Sequence, residues 1–233
     1  MTQGYVFKSF EDKSALQEAA ADWIAAALAD SIARRGSAVF MGSGGRTPGP
    51  IYETLSLADL DWKNVHIGLC DERWVDRDHD ASNGAMLERT LLQNKAQVAT
   101  YTAMKVPGKD PFAAIEEVNE TYMEASLTDV MLLGMGPDAH TLSWFSGARG
   151  YEAAVDPDTT SVVAAIKAVQ SDVTGPNLLR MTLTLPCVAY ARHVLLLITG
   201  ADKKEVFLNA PDDAPVSLMK RAAGAALTVY YCD

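Results

Sequence analysis

The segment from residue 129 to residue 140 constrains the fold more than any other part of this sequence. Its apolar run Val-Met-Leu-Leu at residues 130 to 133 is typical of a strand that is covered on both faces. Glycines follow at once and let the backbone turn sharply before Asp138 and His140. Open α/β sheets present reacting groups in this way at the carboxyl ends of their strands. We therefore expect an α/β sheet with His140, which can exchange a proton near neutral pH, at its edge.

Strand-like and helix-like segments alternate along the whole chain, which predicts a mostly parallel sheet with right-handed crossovers. Residues 11 to 36 carry apolar side chains at helical spacing and end at Gly36, a typical C-terminal cap. The pattern further predicts strands over residues 38–41, 65–70, 129–133, 162–166, 181–185, 194–199 and 226–231, and helices over residues 48–55, 82–92 and 111–125 and from about residues 186 and 202.

Length and composition favour a single domain over residues 1–233. A chain of 233 residues is long for one domain and short for two, and 48% hydrophobic residues are ample for a core. No segment reaches about 18 apolar residues and no signal peptide is evident, so we expect a soluble, cytoplasmic protein without a membrane span. The three cysteines are far apart, which argues against a disulfide framework and against paired zinc ligands.

The segment Gly42-Ser-Gly-Gly-Arg-Thr-Pro48 leads from a predicted strand into a predicted helix. Its backbone N–H groups and the positive end of the helix would suit a phosphate or an anionic oxygen. The structural alternative is a glycine turn that serves only close packing. The segment is not the G-x-G-x-x-G dinucleotide fingerprint, so we expect no nicotinamide cofactor.

The segment Asp71-Glu-Arg73 follows the strand predicted over residues 65–70. A guanidinium held by neighbouring carboxylates can grip a substrate oxygen in a fixed orientation, which makes Arg73 a candidate site residue. A structural ion-pair cluster is the alternative, and for Glu72 it is the preferred one. Asn83, which follows a helix cap at Ser82, would either contact a ligand or form hydrogen bonds only with the segment from Asp71 to Arg73.

Five short motifs resemble those of the 6-phosphogluconolactonase family, from about residue 5 to residue 233. The family patterns are approximately GGsTP, DERxV followed by SN, GxGxDGHtaSlFP, RiTlT and GxxK. Each motif alone is short, but five in the same order make a specific match. The matching segments here are Gly42-Ser-Gly-Gly-Arg-Thr-Pro48, Cys70-Asp-Glu-Arg-Trp-Val75 with Ser82-Asn83, Gly134-Met-Gly-Pro-Asp-Ala-His140, Arg180-Met-Thr-Leu-Thr184 and Gly200-Ala-Asp-Lys203.

The resemblance implies a single-domain, three-layer Rossmann-like fold of the NagB/RpiA/CoA transferase-like type. It also implies an enzyme without cofactor or metal that hydrolyses 6-phospho-D-glucono-1,5-lactone, acting as a monomer or weak homodimer on a small sugar phosphate. Arg180 and Lys203 match the positions that bind the phosphate in the family, with Lys204 as the competitor for Lys203. The other expected substrate contacts are Gly44, Gly45, Arg46, Thr47, Asp71 and Asn83. Arg73 is expected to belong to the catalytic residues and to contact the lactone end.

His140 is the expected catalytic residue, because lactone hydrolysis needs a proton removed from water and one returned to the ring oxygen. Asp138 would orient the imidazole or its water. The chain departs from the family pattern at Arg46, usually serine, at Ala139, usually glycine, and at Trp144, usually leucine. Trp144 would narrow the pocket.

The net charge of −10 opposes nucleic-acid binding, which needs clustered lysine and arginine. To bind an anionic substrate, an acidic protein must concentrate its positive charges locally. The motif segments contain four such charges, those of Arg46, Arg73, Arg180 and Lys203. Two other functions stay open: a glucosamine-6-phosphate deaminase or isomerase, disfavoured because residues 141–145 hold no acidic side chain, and a non-catalytic sugar-phosphate sensor. His79 lies between two aspartates, an arrangement with two interpretations, a metal site or a solvated turn, of which the turn is favoured.

Overall fold

The computed structural model describes residues 4–123 and 127–233. Its strands are β1 (Val6–Ser9), β2 (Ala38–Gly42), β3 (Val65–Leu69), β4 (Asp71–Arg73), β5 (Thr100–Tyr101), β6 (Val130–Gly134), β7 (Val163–Lys167), β8 (Leu179–Leu183), β9 (His193–Thr199) and β10 (Leu227–Cys232). Its helices are α1 (Lys13–Arg35), α2 (Pro48–Leu55), α3 (Asn83–Thr90), α4 (Ile115–Thr121), α5 (Tyr151–Val155), α6 (Leu185–Tyr190), α7 (Ala201–Asn209) and α8 (Pro215–Ala223).

Seven strands form one parallel sheet in the order β1-β10-β9-β6-β2-β3-β5. The central strands β2, β6 and β9 are almost entirely buried, as their continuous apolar sequences require. Their carboxyl ends lie at the same edge of the sheet, so the segments that follow them are brought together there. The predicted mostly parallel α/β architecture is confirmed.

A second, three-stranded antiparallel sheet has the order β4-β8-β7. The strands predicted over residues 162–166 and 181–185 therefore pair with each other and do not extend the parallel sheet. Cys70 joins the two sheets: its N–H donates to the Gly42 carbonyl at 2.8 Å, and its carbonyl accepts from the Leu183 N–H at 2.8 Å. The polar segment after residue 70 becomes β4 because it pairs with β8.

Helix α1 begins at an Asp12 cap, whose carboxylate accepts from the Ala15 N–H at 2.8 Å, and ends at Gly36 with φ 83°. Its C-terminal end is fixed by Asp129, a fully buried carboxylate just before β6. Asp129 accepts hydrogen bonds from the Ser31 hydroxyl at 3.0 Å and the Val39 N–H at 2.9 Å. This network holds the helix against the amino-terminal ends of β2 and β6, opposite the motif segments.

The helix predicted over residues 111–125 is shorter than expected. A 3-10 turn over Pro111–Ala113 precedes α4, and the predicted end at residue 125 lies outside the described residues. Elements β1, β4, β5, α5 and α8 were not predicted. No helix in the described part of the chain combines the length and the apolar character needed to cross a membrane.

Candidate active site

An open cavity of about 730 Å³ lies at the carboxyl ends of β2, β6 and β9. It brings together residues from five segments that are far apart in the chain. Asp138 is the one predicted site residue that does not line it. The predicted residues that do are Gly44, Gly45, Arg46, Thr47, Asp71, Arg73, Asn83, His140, Arg180 and Lys203.

His140 lies on the turn after β6 and forms a close pair with Asp138. Its Nδ1 is 2.5 Å from Oδ1 of Asp138, and its ring is tilted against Phe145 with the centroids 4.5 Å apart. Burial by itself would raise the pKa of the Asp138 carboxyl, but the hydrogen bond and the charge of His140 lower that pKa below its ordinary value. The carboxylate therefore stays ionised near neutral pH and orients the imidazole.

Two backbone positions make this pair possible. A Cβ atom on Gly136 would lie 2.2 Å from Cε1 and Nδ1 of His140, so the imidazole rests where a side chain would be. Ala139 has φ 65°, a left-handed conformation that favours glycine, and its carbonyl accepts from the Val216 N–H at 3.0 Å. The turn is therefore strained at the position between the aspartate and the histidine.

The glycine segment between β2 and α2 forms one wall of the cavity. Gly44 lies against Asn83, because a Cβ atom there would come within 1.8 Å of the amide oxygen, and Gly45 has φ 112°. The hydrogen bonds of the described residues leave the N–H groups of Gly44, Gly45 and Arg46 without a protein acceptor. The wall therefore presents free donors and the amino-terminal end of a helix to a bound anion.

Glu72 on β4 is structural, but through hydrogen bonds and not through the expected ion-pair cluster, since no ion pair among the described residues includes it. It is buried and accepts four hydrogen bonds at 2.7 to 2.9 Å: one from the N–H of Arg73 on β4, and three at the start of α3, from the N–H groups of Asn83 and Gly84 and the Ser82 hydroxyl. Burial raises its pKa even though these hydrogen bonds act to lower it. Glu72 thus fixes α3 against β4 and is not directed at the cavity.

Arg73 and Asn83 are held together at the cavity wall. The Arg73 guanidinium donates through Nη1 to the Ala81 carbonyl at 2.8 Å and to Oδ1 of Asn83 at 3.0 Å. The Asn83 amide group donates to the Asp71 carbonyl at 2.8 Å. Asn83 therefore forms hydrogen bonds with β4 and also lines the cavity.

Arg180 on β8 is directly opposite Arg73 on β4 in the antiparallel pair. Like charges in such a position repel each other, so a bound anion would relieve the repulsion. Arg180 is 6% exposed and donates to the carbonyls of Thr174 at 2.8 Å and Asn177 at 3.2 Å. Burial lowers the pKa of its guanidinium, and the charge of Arg73 acts in the same direction while Asp71 opposes it.

Lys203 and Lys204 are clearly distinguished by position. Lys203 lines the cavity and donates to the Met135 carbonyl at 2.8 Å, whereas Nζ of Lys204 lies over the Tyr231 ring, 4.4 Å from its centroid. Burial, and then the charge of Arg46, lower the pKa of the Lys203 ammonium, and Asp138 opposes this. Of these two neighbouring lysines, Lys203 is the one that a ligand in the cavity would contact.

One expectation about pocket shape is wrong. Trp144 does not line the cavity: its indole is fully buried and donates to the Leu183 carbonyl at 2.9 Å. The lining residue on this turn is Leu142. The residues around it, Thr141, Ser143 and Trp144, are all fully buried, and the hydrogen bond to Leu183 holds the Trp144 indole in the core.

Sequence reasoning missed several residues of the site. Lys13 and Asp172 line the cavity, and Ser143 donates to Oδ2 of Asp71 at 2.6 Å. Lys13 lies in the first turn of α1 and Asp172 in the segment between β7 and β8, outside the recognised motifs. For Ser143 a signal existed, since it belongs to the segment that contains His140.

His79 and the three cysteines do not line the cavity. Nδ1 of His79 accepts a hydrogen bond from the Ala81 N–H at 2.9 Å, as in a turn. The described residues contain no group of three or more His, Cys, Asp or Glu side chains placed to hold a metal ion. Cys70, Cys187 and Cys232 are buried free thiols, and burial raises the pKa of each.

Known proteins resemble this chain over almost its whole length. A family model described as glucosamine-6-phosphate isomerases/6-phosphogluconolactonase matches residues 11–228. A 6-phosphogluconolactonase of Rhizobium meliloti is 37% identical over 229 residues, which cover 95% of this chain and 96% of that protein. One of Neisseria meningitidis serogroup A is 35% identical over 238 residues, covering 98% and 100%.

Solved structures give the same result. The crystal structure of a 6-phosphogluconolactonase from Shewanella baltica has a TM-score of 0.87 to this chain at 34% identity and covers 98% of each. The chain belongs to the 6-phosphogluconolactonase family.

Proposed function

We propose that this chain hydrolyses 6-phospho-D-glucono-1,5-lactone to 6-phosphogluconate, the second step of the oxidative pentose phosphate pathway and a step shared with the Entner-Doudoroff route. The observation that carries the proposal is the His140–Asp138 pair, at 2.5 Å, beside a cavity lined by five lysine and arginine side chains from separate segments. A base and a set of cations in one cavity suit an anionic ester that is opened by water.

In the proposed mechanism, Asp138 holds Nδ1 of His140, which leaves Nε2 to act as the general base. Nε2 takes a proton from water as the water oxygen bonds to the lactone carbonyl carbon. The tetrahedral intermediate then collapses, the bond from that carbon to the ring oxygen breaks, and the imidazolium returns the proton to the ring oxygen. Backbone N–H groups of a glycine segment would stabilise the oxyanion.

Substrate orientation follows from the placement of the cations. Arg180 supplies a planar fork and Lys203 a point charge, a combination suited to the terminal phosphate. The segment containing Gly44, Gly45, Arg46 and Thr47 contributes free N–H groups and the positive end of α2. Arg73, Asp71 and Asn83 would contact the lactone end.

An acid-release assay tests the proposal. Fresh lactone, generated by glucose-6-phosphate dehydrogenase, is expected to release acid well above its spontaneous rate when the protein is added. Ammonia released from glucosamine 6-phosphate would instead support the deaminase function. A protein that binds 6-phosphogluconate but accelerates neither reaction would be a sensor.

We also propose that the protein acts in the cytoplasm, as a monomer or weak homodimer, with the sugar phosphate as its partner. A phosphorylated sugar is charged and crosses a bilayer poorly, which supports a location where such metabolites are made. Size-exclusion chromatography with light scattering would measure the oligomeric state.

A further inference from the structure

A buried hydrogen bond links the turn that contains His140 to strand β4. The Ser143 hydroxyl donates to Oδ2 of Asp71 at 2.6 Å, although the two residues are 72 positions apart. Ser143 is fully buried and does not line the cavity, whereas Asp71 is 7% exposed and does. The serine therefore acts on the cavity only through the carboxylate.

The carboxylate of Asp71 accepts few hydrogen bonds for a buried carboxylate. Its neighbour Glu72 accepts four hydrogen bonds of 2.9 Å or less. The Asp71 carboxylate accepts one short bond, from Ser143, and a long one of 3.4 Å from Asn83 to Oδ1. No ion pair among the described residues includes it. A carboxylate has about four acceptor positions, so unused capacity remains at the cavity wall.

The unused acceptor matches a feature of the proposed substrate. Besides its phosphate and its carbonyl, the lactone carries ring hydroxyl groups, which are hydrogen-bond donors. Asp71 and Asp172 are the described carboxylates that line the cavity, and Asp172 is exposed. A buried carboxylate forms strong hydrogen bonds and rejects an analogue that lacks the donor, because its acceptor is then left unpaired.

Resting on the proposed function, we infer that Ser143 is a positioning residue for substrate selectivity. By occupying Oδ2, its hydroxyl fixes the plane of the Asp71 carboxylate. The remaining oxygen then accepts a hydrogen bond from one ring hydroxyl of the lactone. Without the serine, the carboxylate can rotate and the preference for the hydroxylated substrate is lost.

The matched variants are Ser143→Ala and Thr141→Ala. Thr141 is also fully buried on the same turn, but its hydroxyl donates to the Gly134 carbonyl at 2.9 Å and not to Asp71. The assay compares kcat/KM for the natural phospholactone with that for analogues lacking the 2-, 3- or 4-hydroxyl. The wild type is expected to disfavour one analogue. In Ser143→Ala this preference should shrink about tenfold, and in Thr141→Ala it should persist.

A double-mutant cycle separates positioning from a general structural effect. In an Asp71→Asn background, Ser143→Ala should change the preference less than about twofold, because the group that it positions is already altered. Should Ser143→Ala fail to fold, Ser143→Cys, which keeps the volume but donates weakly, is compared in its place. A preference unchanged by the serine variant, or reduced equally by the threonine variant, would overturn the inference. A wild type with no lactonase activity would overturn the proposed function as well.

Discussion

At the scale of single residues, the proton-transfer pair depends on backbone positions that few side chains can occupy. Gly136 leaves the space that the imidazole of His140 fills, and Ala139 and Leu142 have φ values of 65° and 52°. Left-handed conformations of non-glycine residues are unfavourable and cluster at functional sites. The turn after β6 thus holds its histidine by strained geometry rather than by regular structure.

The His140→Ala variant should lose most turnover while keeping its affinity for 6-phosphogluconate. A general base acts mainly in the transition state, so kcat is expected to fall by about 10²–10⁴. Asp138→Asn should lower kcat less and leave affinity unchanged, because it disturbs the imidazole without removing it. Acid release and calorimetry give the two quantities. Near wild-type kcat in His140→Ala would rule out the proton-transfer role.

The Ala139→Gly variant is expected to be more stable than the wild type. A left-handed alanine is unfavourable by roughly 1–2 kcal/mol, and the greater freedom of glycine in the unfolded chain offsets part of that, so a net gain of about 1 kcal/mol should remain. Gly36→Ala, at φ 83° with no atom near the added methyl, is the matched control and should be destabilised. Urea unfolding measures both, and a less stable Ala139→Gly would refute the strain argument.

At the scale of elements, the two sheets meet around the cavity and assemble its charges. The parallel sheet supplies the turns after β2, β6 and β9, and the small sheet supplies β4 and β8. The register of β4 and β8 places Arg73 opposite Arg180, an arrangement that favours an anion between or beside them. Two separate sheets thus contribute complementary halves of one site.

Cation variants test which element binds the phosphate. Arg180→Ala and Lys203→Ala should each weaken binding of 6-phosphogluconate more than binding of gluconate, because only the former carries the phosphate. Lys204→Ala is the matched control on the same helix, since this lysine lies over Tyr231, and it should bind both ligands as the wild type does. Equal losses for the two ligands would assign Arg180 and Lys203 to the sugar end or to the fold.

Elements whose signals are local could be predicted from the sequence. The bounds of α2 match the prediction, and α1 follows its caps at Asp12 and Gly36 closely. Strands β1, β4 and β5 could not be predicted, because each has two to four residues and forms only by pairing with distant partners. The site divides in the same way. Contiguous motifs indicated ten of the lining residues, but the Ser143–Asp71 contact could not be predicted because it joins residues 72 positions apart.

At the scale of the whole molecule, an acidic protein contains a cation-lined cavity. The net charge is −10, yet Lys13, Arg46, Arg73, Arg180 and Lys203 all line the cavity. Local charges in a cleft focus the field even when the total charge has the opposite sign. The fold therefore concentrates an anionic substrate at one edge of the sheet while the rest of the surface repels anions.

Chelation should leave activity intact. The proposed mechanism activates water with His140, and Nδ1 of His79, the residue between Asp78 and Asp80, accepts a hydrogen bond from the Ala81 N–H. Dialysis against a strong chelator is followed by the acid-release assay with and without added divalent ions, using His79→Ala as a control. If activity is lost and zinc or manganese restores it in the wild type but not in His79→Ala, the Asp76–Asp80 turn would be a metal site that activity requires.

The position of β10 has a consequence for how the chain matures. This strand lies between β1 and β9, so β1 has no partner in the parallel sheet until residues 227–232 are available. During synthesis, more than two hundred residues must be added after β1 before it can pair with β10, and contacts between residues so far apart in the chain form slowly. A nascent chain that stalls before residue 227, or a chain without residues 227–232, would therefore leave the facing edges of β1 and β9 unpaired, and exposed strand edges are bound by chaperones and aggregate.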